Sequence, residues 1–255
     1  MFVLYEKTNM GKRQNKVTRS KIRGNRRKCL ILTRRIILLA VFVFLMQSIA
    51  LTQTGQSFGK FIIARLKYDG GGDWYSNPSS LPNLLKFLQS NAPIDVVPEE
   101  KRISIMDKDF FSYPYLYMNG HGNVRFSEEE TLRLREYLQS GGFLHADDNY
   151  GMDASFRREM KKVFPNNELV ELPFDHPIYN IYFSFPNGLP KIHEHDGKSP
   201  QGLGIFYKGR LVVFYTYECD LGDGWEDPEV HGDPDEKHQA ALKMGANIVL
   251  YAMMR

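Results

Sequence analysis

Four short polar stretches carry the residue types that bind cations, move protons or accept hydrogen bonds from hydroxyls. They are Asp69-Gly70-Gly71-Gly72-Asp73-Trp74-Tyr75, Gly120-His121-Gly122, His145-Ala146-Asp147-Asp148-Asn149, and Glu218-Cys219-Asp220 with Asp223-Gly224-Trp225. His121, His145 and Asp147 offer nitrogen and oxygen donors suited to a divalent metal, and strand alternation would put His145 and Asp147 on one side. No His-x-x-x-His motif reinforces that set, and Asp147 or Asp148 equally suits the capping of a following turn or helix. Trp74 adjoins Asp73 and Trp225 follows Asp220 and Asp223, all at strand ends together with Asp147 and Asp148. An aromatic face covers C–H groups while carboxylates accept from hydroxyls, a pairing that fits a polar small molecule or saccharide.

The other reactive types point less clearly to chemistry. The triple glycine centred on Gly71 lets backbone approach a ligand closely, and its amides suit an anion. No Gly-Lys-Ser/Thr follows, so a nucleotide phosphate loop is not expected. Cys219 follows an apolar run, but Glu218 and Asp220 beside it disfavour the thiolate that a nucleophile needs. His193-Glu194-His195-Asp196 reads as a solvated loop and Asp175-His176-Pro177 as hydrogen-bonded architecture. His231 and His238 flank the acidic stretch 233–236. The ligand-binding candidates are therefore Asp69, Gly71, Asp73, Trp74, His121, Asp147, Asp148, Asp220 and Trp225.

These stretches are placed by the elements before them. Residues 61–68 form an apolar run that breaks at Asp69, and residues 94–97, 116–118 and 143–146 are further short strand candidates. Leu81, Leu84, Leu85 and Leu88 recur at helical spacing. Ser127 with Glu130 three residues on predicts a capping box, and Gly141-Gly142 predicts the stop of that helix. A helix over 155–163, strands near 169, 205–207 and 211–217, and a final helix over 236–254 complete the pattern. Lys208-Gly209-Arg210 reads as the hairpin turn between the last two strands. Alternating strand and helix imply a mostly parallel sheet, whose ligands bind beyond the carboxyl ends of its strands.

Charge divides the chain. Residues 1–50 hold 12 of the 33 Lys and Arg and one acid, Glu6, leaving 21 bases against 29 acids in residues 51–255. The net −8 of that remainder argues against nucleic acid as a partner. Residues 1–35 read as a basic cytoplasmic leader and 36–54 as a signal-peptide core or transmembrane anchor, with a cleavage site near Ala50 as one outcome. Residues 60–255 then form a single extracytoplasmic domain, periplasmic in a Gram-negative cell. It is either secreted or held at the membrane beside membrane-complex partners. Cys29 and Cys219 fall on opposite sides of that membrane, so no disulfide is expected.

Taken in order, the glycine-rich stretch at 69–75, Gly120-His121-Gly122, Phe126 to Glu130, Gly141 to Asp148, Phe164-Pro165, Asp175-His176-Pro177 and His238-Gln239-Ala240 resemble the domain-of-unknown-function 4159 family. The resemblance runs from about Phe61 to Arg255. It implies a flavodoxin-like, class I glutamine amidotransferase-like three-layer sandwich with a mostly parallel sheet, here preceded by an N-terminal apolar helix. Active amidotransferases carry a Gly-x-Cys-x-Gly nucleophile elbow, and this sequence has none, so glutamine hydrolysis is not expected. The expectation is a non-catalytic ligand-binding or protein-interaction module. The alternative is a metal-assisted hydrolase acting on a polar, saccharide-class substrate.

Overall fold

The computed structural model describes residues 60–254. The leader, the apolar segment and the cleavage site expected from sequence lie outside the described residues. Among the described residues, no helix is long and apolar enough to cross a membrane.

Six-residue runs with almost no exposed position make the centre of the fold. β3 (Tyr115–Gly120) and β4 (Phe143–Asp148) are buried at every residue, as strands covered on both faces must be. β1 (Ala64–Lys67) lies on the far side of β3, β2 (Lys101–Ser104) pairs with β1, and β7 (Arg210–Tyr217) pairs with β4. All of these pairings are parallel. β6 (Gln201–Tyr207) and β5 (Val170–Glu171) extend the sheet antiparallel, giving the order β2-β1-β3-β4-β7-β6-β5. The result is an α/β architecture with a seven-stranded, mostly parallel sheet, consistent with a flavodoxin-like order in its parallel part.

Side-chain alternation sorts the strands into two cores. Tyr115, Tyr117, Phe143 and Phe214 point to one face, packed with α1 (Ser80–Asn91) and α7 (Asp235–Met254). Leu116, Met118, Leu144 and Val213 point to the other, packed with α2 (Glu128–Gln139) and α3 (Asp153–Val163). The capping box of α2 is formed: Ser127 Oγ accepts from Glu130 N at 3.1 Å, and Ser127 N donates to Glu130 Oε2 at 2.8 Å. The hairpin between β6 and β7 turns at Lys208 and Gly209, both at positive φ.

One strand falls elsewhere than the sequence reading places it. Within 94–97 only Val96 contributes, through an isolated bridge to Phe61, and the second strand is Lys101–Ser104. Pro98 has no N–H for a ladder, so pairing resumes only beyond it. Three short helices, α4 (Pro177–Asn180), α5 (Leu221–Gly224) and α6 (Pro228–His231), line the connections around β5 and after β7.

Candidate functional site

The carboxyl ends of β1 and β3 hold one polar pair. His121, on the turn after β3, donates its backbone N–H to Asp73 Oδ1 and brings Nδ1 to 3.1 Å from Asp73 Oδ2. Both side chains are substantially exposed. Asp69 is exposed, and its backbone oxygen takes the Arg125 N–H at 2.7 Å. Gly71, at φ +92, meets nothing within 4 Å of an added Cβ, so open space rather than crowding surrounds it. Trp74 packs partly against the core, with Lys67 Nζ 5.7 Å from its ring centre.

His145 and Asp147 instead point into the helix-covered interior. Tyr115 Oη lies 3.1 Å from His145 Nδ1, and Thr216 Oγ1 lies 3.1 Å from Nε2. Thr216 Oγ1 also meets Asp147 Oδ1, which links His145 to Asp147. Burial drives the His145 pKa down to about 3. Burial, then the nearby Asp220 charge, pushes Asp147 up to about 8. With both His145 nitrogens engaged inside and His121 at the surface beside Asp73, the three expected metal donors are not brought together. Trp225 is likewise unavailable as a platform. It is wholly buried, donates Nε1–H to Ala241 O at 2.8 Å, and packs 5.3 Å from Tyr117.

Asp147 nevertheless positions the chemistry above it. Its Oδ2 accepts the Gly222 N–H at 2.6 Å, which pins the turn carrying Asp220 and Asp223. Asp148 accepts the N–H groups of Tyr150 and Met152, fastening the turn that leads into α3, whose own N-terminus carries no side-chain cap. Asn149 follows, 2 % exposed, and donates from Nδ2 to Asp220 Oδ1 at 3.1 Å and to Asp223 Oδ1 at 2.5 Å. Arg65, buried between β1 and its neighbours, donates to the carbonyls of Ser76 and Asn77 at 3.0 and 3.2 Å. Asn77 in turn donates to Asp223 Oδ1.

Histidines from two distant segments complete this cluster. His193 Nδ1 lies 2.9 Å from Asp220 Oδ2, and its Nε2 lies 3.1 Å from Asp233. His195 Nε2 meets Asp220 Oδ2 at 3.1 Å, and His231 Nε2 meets Glu226 Oε2 at 3.1 Å. Asp223 Oδ2 stands 3.4 Å from His193 Nδ1 and 3.6 Å from His231 Nε2. Hydrogen bonding to Asp220, then to Asp223, raises the His193 pKa to about 10. Burial alone would raise Asp223, but the His193 hydrogen bond and the His231 charge hold it below the usual carboxylate value. Among the described residues searched, His193, Asp223 and His231 form the group of donors able to hold a metal ion, all within 4.8 Å of one another.

The loop bearing His193 and His195 is tied down from several sides. Lys191 Nζ bonds Glu218 Oε2 at 3.0 Å, Lys237 Nζ bonds Ile192 O at 2.5 Å, and Tyr150 Oη bonds Asp196 at 3.1 Å. Cys219, between Glu218 and Asp220, is fully buried, and burial followed by the Asp147 charge holds its thiol well above its ordinary pKa.

Of the sequence candidates, Asp147, Asp148 and Asp220 belong to this region, whereas Asp73 and His121 form their own pair. The sequence reading left His193, His195, His231, Asp223, Asp233 and Asn149 outside its ligand-binding set and did not single out Asn77. The available signal was the density of His and Asp in three loops, 193–196, 220–223 and 231–233. A family model described as Domain of unknown function (DUF4159) matches residues 62–253. No curated protein matches the sequence.

Proposed function

Since the chain belongs to the DUF4159 family of domains of unknown function, whose name assigns no reaction, we propose from its geometry that it is a binding module for a polar, hydroxyl-rich ligand. The site is the cluster at the carboxyl ends of β4 and β7. One observation carries this reading. Among the described residues five non-glycine positions have positive φ, and four of them, Asn77, Tyr150, Glu218 and Asp220, surround this cluster. Asn77 and Asp220 are residue types that adopt such backbone readily, whereas for Tyr150 and Glu218 it costs on the order of 1–3 kcal/mol each and concentrates where function over-determines structure.

The chemistry supports the same ligand class. Asp220 and Asp223 present acceptors, and Tyr150, 52 % exposed at φ +99, places an aromatic ring 5.1 Å from His195 at the rim. An amidotransferase-like three-layer frame without its cysteine elbow agrees with binding rather than glutamine hydrolysis, because the one described thiol is buried. The basic leader and apolar segment support an extracytoplasmic, membrane-tethered or secreted setting with membrane partners. The test is a thermal-shift screen of the full chain against mono- and disaccharides, repeated on Tyr150→Ala. A saccharide shift lost in Tyr150→Ala is expected. Absence of any saccharide shift contradicts the reading.

A second reading, metal-assisted hydrolysis of a polar, saccharide-class substrate, draws on the convergence of His193, Asp223 and His231. Two imidazoles and a carboxylate are a donor set used by catalytic metal sites that keep a position open for water. Release of reducing ends from saccharides only after metal addition is the result that favours it.

A further inference from the structure

We infer that His193 Nδ1, His231 Nε2 and Asp223 Oδ2 bind one zinc-type divalent cation. The inference rests on reading the strand-end cluster as a binding site, and names the ion that organises it. Zinc bonds of about 2.0–2.1 Å in a tetrahedron place neighbouring donors about 3.3–3.4 Å apart. Asp223 Oδ2 stands 3.4 Å from His193 Nδ1 and 3.6 Å from His231 Nε2. Those separations exceed the usual N–H···O range of about 2.7–3.2 Å and suit two ligands facing a common centre.

The surroundings are those of ligands held from behind. Asp223 Oδ1 is engaged by the amides of Asn77 and Asn149, which leaves Oδ2 turned toward the histidines. His193 keeps its other nitrogen, Nε2, on the Asp233 carboxylate at 3.1 Å, the partner that fixes a metal-ligating imidazole's tautomer and orientation. Glu226 Oε2, 3.1 Å from His231 Nε2, and Asp220 Oδ2, 2.9 Å from His193 Nδ1, are adjacent oxygens that can complete the coordination.

Two buried polar atoms on residues that anchor to the cluster lack a partner among the described residues. Asn149 reaches into the cluster through its amide nitrogen and is 2 % exposed, yet its Oδ1 has no hydrogen-bond partner among the described residues. The carboxylates of Asp220 and Asp223 fix that amide's orientation, because a flip would set oxygen against oxygen. The His195 side chain, 7 % exposed and anchored on Asp220 through Nε2, likewise leaves Nδ1 unpartnered. Buried polar groups are rarely left so, and each costs about 1–3 kcal/mol. The imidazole content selects a zinc-type ion over magnesium, which prefers oxygen ligands.

The test uses the full chain, stripped of metal with a chelator and titrated calorimetrically with zinc chloride and, separately, magnesium chloride. One zinc per chain is expected, with no magnesium binding at the same concentrations. Asp223→Asn and His231→Gln should each weaken zinc at least tenfold. Asp233→Asn, removing the group behind His193, should weaken it about 10–100-fold, and His121→Ala should leave it unchanged. Circular dichroism confirms that each variant is folded, and the exposed position of His231 makes its variant the one to rely on if Asp223→Asn unfolds. Absence of stoichiometric zinc, or zinc binding undiminished in folded His231→Gln, overturns the inference. Zinc binding without any saccharide shift keeps the metal site and removes the ligand reading. A saccharide shift in zinc-free protein that does not bind zinc does the reverse.

Discussion

Gly222 donates its backbone N–H to Asp147 Oδ2 at 2.6 Å, joining the buried end of β4 to the turn that carries Asp220 and Asp223. Asp147 is wholly buried, so its part is to position that turn. Asp147→Ala leaves the Gly222 N–H without its acceptor. The expected cost is about 1–3 kcal/mol in urea unfolding, the usual penalty for a stranded buried donor. An unchanged midpoint would show that the turn holds without it.

His145 makes stability depend on pH in a defined direction. Its folded pKa is about 3 against an unfolded value near 6.5, so the unfolded chain binds a proton first as pH falls. The contribution of the neutral, buried imidazole is complete above pH 6.5 and is lost progressively below it. The stability advantage of the wild type over His145→Gln should shrink by up to about 1.4 kcal/mol per pH unit between pH 6.5 and 4.5. A gap that stays constant over that window would contradict the assignment.

Trp225 separates packing from binding. Its indole is enclosed by Tyr117, His145 and the backbone of α7, to which it donates a hydrogen bond. Trp225→Ala should cost about 3–5 kcal/mol of stability, as for a large core aromatic. A folded, fully stable variant with a selective loss of ligand binding would restore Trp225 as a contact residue.

Ser127 tests the local rules far from the site. Ser127→Ala removes the oxygen that accepts the Glu130 N–H, and about 1 kcal/mol should be lost. Chemical denaturation reads this directly, and a loss below a few tenths would mean that Glu130 alone secures the helix start.

Those last residues show what local pattern can carry. The α2 capping box needs only Ser127 and Glu130 at fixed spacing, and β3 and β4 announce themselves as short apolar runs ahead of polar turns. Asp147, Asp148 and Asp220 are legible for the same reason, because they end or follow strands. The direction each side chain takes is not. His145 and Trp225 look like rim residues by position, yet one points between Tyr115 and Thr216 and the other under α7. His193, Asp223 and His231 are separated by loops whose paths depend on ties such as Lys191 to Glu218 and Lys237 to Ile192. Their meeting follows from tertiary packing, which no fixed spacing encodes.

The most direct measurement of the strand-end site is anomalous diffraction from crystals of the protein grown with zinc, collected above and below the zinc absorption edge. The expected result is one strong difference peak bounded by His193, Asp223 and His231. No peak there, or a principal peak beside His121 and Asp73, would contradict the placement of function at the ends of β4 and β7.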